Sequence, residues 1–561
     1  MALIIFFRSF LATIILFTSL LMARFWTFGA AWFVIGSLNA NSAFMGSIVL
    51  GSGITFGVIQ LSRYLEERRR GHSPLRSAWT AVRRTSRPTL TAALAASIAY
   101  GSLFLTQFEG FRQYGIIGFM GMIFCWISSI LVFPSLLVLT ERFVKIVNPQ
   151  KALRKPLIFG PLTRLLEKYP VAFLGVSILI TVASIFSLFT FDSKTIIETN
   201  LSHLRSKASM ESGSGFWSKQ QDEIFQRYLS PMAILARNDE ETRQIEAKLK
   251  AIKEKQGPQS LINSVQSIYD FIPDQRLEKI EILKQIRNAL PKSILSRLAP
   301  ADRSQVSGFL TPAAFRPFTL KDLPELIQDK FKEKDGSVGK LVLIEPPIAS
   351  VNWSGDQLSE FVQELRKTAD EIRQNEGADA AGVAPMPVAG GLPVVADMIN
   401  AISRDGPRAT LFAFLGVVLL VIALFRKPKI AGLMLFALIL GNLWLFGFIL
   451  LGQVKINFLN FIALPITFGI GVDYGVNIFH RYLHEPSTDI IKVVRETGAA
   501  VGLCSLTTMI GYSSLLIAKN QAFVSFGTLA VLGELTSVVA AVVTLPALLL
   551  VMRRWRQKRG A

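Results

Sequence analysis

Two cysteines in 561 residues offer no disulfide framework, and both, Cys125 and Cys504, fall inside long apolar runs. No Gly-x-x-x-x-Gly-Lys-Ser/Thr loop occurs, so ATP-driven work has no motor of the P-loop kind. Histidine is scarce, with four in all. His480 and His484 stand at i, i+4, a spacing that can bind a metal, but no third ligand is in view and an interfacial pair is the simpler reading. Residues 193–405 hold no nucleophile–base pairing, metal-ligand spacing or phosphate loop, so this region is expected to bind or guide rather than react. No enzyme activity, metal or cofactor is expected. The opening "MALIIFFRSFL" is too short to span before Arg8 and has no small-residue cleavage site, so it is not read as a signal peptide.

What is abundant is apolar length. The chain is 51% hydrophobic. Its apolar residues gather in runs of about 17–28, enough to cross a ~30 Å hydrocarbon core as helices. Ten spans are read, at roughly 10–36, 43–61, 88–107, 115–139, 170–190, 409–425, 430–452, 457–479, 498–518 and 523–551. The fold class is a polytopic α-helical membrane protein. The net charge of +20 does not point to nucleic acid, because residues 193–405 hold 28 basic and 29 acidic residues and the excess lies in short loops and tails. That asymmetry places the basic loops in the cytoplasm and 193–405 outside.

The membrane part is duplicated. "GSGITFGVIQLSRYLEE" from Gly51 matches "GIGVDYGVNIFHRYLHE" from Gly469, Trp26 matches Trp444, and Gly29 matches Gly447, all displaced by 418 residues. Beyond the next loop the displacement is 412, where "IAYGSLFL" (98–105) meets "IGYSSLLI" (510–517) and Pro134 meets Pro546. Repeats in the same sense imply halves related by an axis along the membrane normal. The expected organisation is an incomplete first transmembrane repeat (1–143), a cytoplasmic linker (144–168), the first helix of the second repeat (169–192), a porter-like α/β domain (193–405), the remaining five helices (406–552) and a basic tail (553–561). The first copy lacks a span and an outside domain that the second has. A fragment or misassigned start is the expected reason; a separate polypeptide supplying the rest is the alternative. Within 193–405, 229–236 and 339–346 read as strands and 239–255 and 356–376 as amphipathic helices.

One acid stands out in these spans. Asp473, Asn477 and His480 fall at i, i+4 and i+7, one face of a helix. Gly471 and Gly475 form a small-xxx-small pair. The first copy keeps the glycines, as Gly53 and Gly57, but has Thr55 in place of the acid. Likewise Glu534 aligns with Met122, and "SLTT" (505–508), with Thr507 and Thr508, aligns with "ALAA" (93–96). An acid within a bilayer costs ~2.5–3.5 kcal/mol on the gentlest scale and usually faces a bundle interior or water path. Asp473 is therefore read as a proton carrier, with Glu534 as a second relay group; a purely structural pair is the alternative. Arg24, aligned with Asn442, is a candidate partner for Asp473 across the halves, or else a snorkelling side chain.

The Gly-x-Gly-x-Asp-Tyr-Gly motif at 469–475, set in a duplicated half with a large outside domain, resembles the RND superfamily, and most closely its MMPL-type predicted exporters. The resemblance implies proton-driven export of hydrophobic or lipidic molecules from a bacterial inner membrane. Asp473 would be the proton-exchanging acid, with Tyr474, Gly471 and Gly475 beside it. Members commonly hold an acid in the first half too, where this chain has Thr55. The implied partners are membrane lipids, a hydrophobic substrate and either a separate chain supplying the missing span and domain or a second copy. Rival readings are a non-transporting sensor or scaffold, like the sterol-sensing relatives, and a secretion accessory resembling SecD/SecF.

Overall fold

A computed structural model describes residues 2–7, 9–38, 45–146, 159–190, 196–273, 275–290, 316–348, 354–375, 386–425, 428–484 and 490–559, with 299, 302 and 306. The chain forms two compact units, Met1–Glu211 with Met398–Ala561, and Ser212–Asp397.

In the first unit the apolar runs become helices, the arrangement in which a backbone inside lipid satisfies all its own polar groups. The first repeat supplies α1 (Phe10–Ile35), α2 (Met45–Arg69), α3 (Pro74–Gly101) and α4 (Glu109–Glu141), followed by α5 (Pro170–Thr190). Their ends follow local chemistry. Ser9 caps α1 by accepting from the Ala12 N–H at 3.2 Å, and Gly36 closes it with φ +78°. Ser73 caps α3, with Pro74 in the first turn.

The second unit carries α6 (Ser214–Phe225), α7 (Asp239–Gln256), α8 (Arg276–Ala289) and α9 (Gly355–Asn375) around a four-stranded antiparallel sheet. Its strands are β1 (Met232–Leu235), β2 (Ser264–Ser267), β3 (Leu341–Glu345) and β4 (Val388–Ala389), in the order β2-β3-β1-β4. Register pairs Ile234 with Val342 and Val265 with Ile344, four buried residues on one face. The α/β character read from the sequence is present. The unit is narrower than 193–405, because residues near both ends pack with the helical unit: Ile197 bridges Ile456, Ser206 bridges Asn520, and the Gln107 N–H donates to Asp405 at 2.8 Å.

The second repeat supplies α10 (Gly406–Leu424), α11 (Pro428–Leu451), α12 (Ala463–His484), α13 (Ala499–Ser513), α14 (Gln521–Val539) and α15 (Leu545–Arg559). Nine helices of the described residues are long and apolar enough to cross a membrane. The tenth span expected, 43–61, is α2, a 25-residue helix whose last turns are charged and which falls short on apolarity. It nevertheless occupies the place in its repeat that α12 holds in the other. The span expected at 523–551 is interrupted by a π-helical turn, Ala540–Thr544, just before Pro546. In the first repeat α4 runs on through Pro134 without such a turn.

The duplication extends to several equivalent helix contacts. A methyl on Gly53 would meet Cys125 at 2.5 Å and Leu20 at 3.8 Å; one on Gly471 would meet the equivalent Ser537 at 3.3 Å and Leu438 at 2.9 Å. Gly121 approaches Val49 and Thr27 as Gly533 approaches Thr467 and Leu445. Both copies follow the fifth-position helix with a 3-10 turn, Ser102–Leu105 and Ser514–Ile517. Between the repeats the packing is crossed: α12 lies on α3, and α2 lies on α13.

Candidate functional site

The crossing brings the two matched helices α2 and α12 into the middle of the bundle, with α13 and α14 behind them. A cavity of about 20 Å³, room for one water molecule, lies there. Its lining includes Ser52 and Thr55 from α2, Met122 from α4, Gly469 and Asp473 from α12, Thr508 from α13 and Glu534 from α14. Asp473 and Thr55, equivalent by sequence, thus line one space, as do Glu534 and Met122.

Asp473 and Glu534 are 6% and 1% exposed. Each is met by neutral donors. Asn477, one turn on, donates its Nδ2 to Asp473 Oδ1 at 2.6 Å and to its carbonyl at 2.9 Å. The Tyr474 hydroxyl donates to Glu534 Oε2, and Ser505 reaches the same oxygen at 3.5 Å. Glu534 Oε1 has no hydrogen-bond partner. No salt bridge among the described residues includes either acid.

The repeat sets how closely these helices approach. A Cβ on Gly469 would stand 2.7 Å from the Ala96 Cα, so only glycine allows α12 to touch α3 there. Gly57 is tight against Leu16 at 2.2 Å, whereas at Gly475 the nearest atom, from Met434, is at 3.8 Å and a methyl has room. Of the small-xxx-small pair in the second copy, Gly471 has the closer neighbours, the Leu438 side chain at 2.9 Å and Ser537 at 3.3 Å.

Arg24 is not brought to Asp473. Its guanidinium lies over the Phe28 ring at 5.7 Å, and its Nε is 3.1 Å from where a Cβ on Gly46 would stand. Gly46 precedes Thr55, the counterpart of Asp473, by nine residues, which is about 14 Å along a helix. Thr507 donates to the Cys504 carbonyl of its own helix at 2.8 Å, while Thr508 crosses to the Gly51 carbonyl at 3.0 Å. The side chains of His480 and His484 lie outside the described residues.

Two residues of the site were not singled out from the sequence. Ser52 and Tyr512, 460 positions apart, share a 3.1 Å hydrogen bond across the repeats. The matching pair Tyr100 and Tyr512 in "IAYGSLFL" and "IGYSSLLI" was the available signal.

The sequence profile of the MMPL family matches residues 1–173 and 347–561. This chain belongs to the MMPL family. Among curated relatives, it is 24% identical over 580 residues to the hopanoid transporter HpnN of Rhodopseudomonas palustris, covering 92% of this chain and 62% of the relative. It is 26% identical over 251 residues to the apo-petrobactin exporter of Bacillus anthracis, covering 41% and 33%. This MMPL chain therefore spans about three fifths of the length of the hopanoid transporter. Its fold resembles SecDF of Thermus thermophilus, with a TM-score of 0.54 at 12% identity, over 99% of this chain and 60% of that one.

Proposed function

We propose that this multi-pass membrane protein takes part in proton-driven export of hydrophobic or lipidic molecules from a bacterial inner membrane. The basic loops face the cytoplasm and the Ser212–Asp397 unit faces outward, as charge asymmetry favours. The observation that carries the reading is the pair of acids, Asp473 and Glu534, buried between the repeats with neutral donors and no cation. Protonation removes a charge from that interior, and the halves then rock about their crossed packing. The names of the relatives, a hopanoid transporter and an apo-petrobactin exporter, support the transport class. Membrane lipids, a hydrophobic substrate and either a second copy or a separate chain supplying another span and outside domain are the partners proposed.

Everted vesicles loaded by an imposed pH gradient test this with a fluorescent phospholipid analogue as the probe. Asp473→Asn should insert normally and abolish gradient-dependent movement of the probe. Full movement in that variant would remove the proton role, and probe binding indifferent to pH would favour a sensor. The SecDF-like fold gives a second outcome some weight: protein-export defects without lipid defects on deletion would indicate a secretion accessory.

A further inference from the structure

Glu534 borders two cavities. One is the space it shares with Asp473; the other, about 10 Å³, lies beside α12 with Glu534, Thr467, Ala463 and Phe526 in its lining, toward the end away from the basic loops. Tyr512 lines this second cavity, its ring against Phe526 at 6.2 Å between centroids and its hydroxyl bonded to Ser52 of the other repeat. Ser52 is seven residues into α2 from Met45, about 10 Å from that end, and Thr55 lies a further turn in. The Tyr512–Ser52 bond thus sits on the outer side of the acid pair and spans the two halves.

We propose that Glu534 is the first proton acceptor from the outer face, that Asp473 is the second, and that the Tyr512–Ser52 bond is the gate between Glu534 and outside. This rests on the proton-coupled reading above. A proton from outer water adds to Oε1 of ionised Glu534, the oxygen without a partner. One water in the shared cavity then takes the Glu534 proton as it gives one to ionised Asp473, leaving Glu534 ionised and Asp473 neutral, with no change in total charge. Because the gate bond joins opposite repeats, rocking of the halves breaks it, so outer access opens with the same motion that moves substrate. The titratable groups facing Glu534 are Asp473 and Tyr474 on α12, Cys504 and Tyr512 on α13, and Tyr100 on α3, with no cation among them. Ser52 and Tyr512 are positioning residues: they control access and exchange no proton with substrate.

Carbodiimide labelling of right-side-out vesicles tests the order of transfer, since the reagent captures protonated carboxyls in apolar surroundings. Adducts on Glu534 and Asp473 are read by peptide mass spectrometry while outer pH is varied and inner pH clamped. Both should rise as outer pH falls. In Glu534→Gln, Asp473 should cease to follow outer pH, and Glu534→Asp should restore the response. Ser52→Ala and Tyr512→Phe should speed the response of Glu534 about tenfold, the scale of a lost hydrogen bond of about 1.4 kcal/mol. If Asp473 follows outer pH equally well in Glu534→Gln, or if the two gate variants respond at the wild-type rate, the assigned route is wrong while proton coupling stands. If neither acid responds to pH on either side, the proton-coupled reading fails with it.

Discussion

Among the described residues, two acidic side chains are buried in each repeat, and the two pairs are met by opposite chemistry. In the first, Glu67 is 2% exposed and held by Arg63 at 3.2 Å, Arg70 at 3.0 Å and His72 at 3.0 Å, while Glu141 is held by Arg68 at 2.7 Å. All of these lie at the basic end of the bundle. In the second, Asp473 and Glu534 lie mid-bundle and receive an amide and two hydroxyls. Placement of cations, rather than of acids, is what differs between the repeats: guanidinium groups meet the first pair and neutral donors the second.

The largest effect should come from exchanging the chemistry of the repeats. Asp473→Asn with Thr55→Asp moves the acid across the same cavity, yet transport of the lipid probe should stay about 100-fold down, the usual scale of a lost proton-transfer group. The reason is that Ile59 replaces Asn477 beside the new acid. Recovery of transport would show the repeats to be chemically interchangeable. Next in size is a packing contrast. Gly469→Ala meets the Ala96 backbone at 2.7 Å and should cost about 1–3 kcal/mol in detergent thermal unfolding. Its counterpart Gly51 has nothing within 4 Å, and Gly51→Ala should stay within about 0.5 kcal/mol. Equal losses would overturn the crossed geometry. Tyr474→Phe, which converts the second copy to the first copy's Phe56, strips Glu534 of its donor and should cost about 1 kcal/mol by the same assay.

The smallest effect concerns an acid of the paired kind in the second unit. Burial pushes the Glu241 carboxyl up, but the Arg237 backbone N–H and the Arg373 guanidinium outweigh it and hold the group below the ordinary glutamate range. A depressed carboxyl contributes stability above its unfolded pKa of about 4.3 and loses it as pH falls through the lower folded value. Hydrogen-exchange protection of α7 and α9 in the intact protein, taken relative to the intrinsic rate at each pH, should fall on acidification below about pH 4. Glu241→Gln should flatten that dependence; an unchanged slope would assign it to another group.

Much of this was legible because it is periodic or repeated. Apolar runs gave the spans, the constant displacement gave the duplication, and the lone acids stood out against their aligned neighbours Thr55 and Met122. Three features were not legible for physical reasons. The β2 strand, "SVQS", is too short and polar to show alternation. Arg24 aligns with Asn442 inside a span, but depth along the helix, which alignment does not report, keeps it from Asp473. The Ser52–Tyr512 bond depends on which helix of one half crosses which of the other; the aligned Tyr100 and Tyr512 mark the position but not its partner across the halves.

The crossed packing also sets a timetable for biogenesis. The α2 and α3 surfaces that receive α13 and α12 are synthesised long before their partners. At ribosomal speeds of ~5–20 residues per second, the interval is roughly 20–90 s. Throughout it the first repeat sits in the bilayer with Gly51, Ser52 and Thr55 turned toward lipid, a polar, small-residue seam open to insertase, to other nascent helices, or to a second copy of the same half.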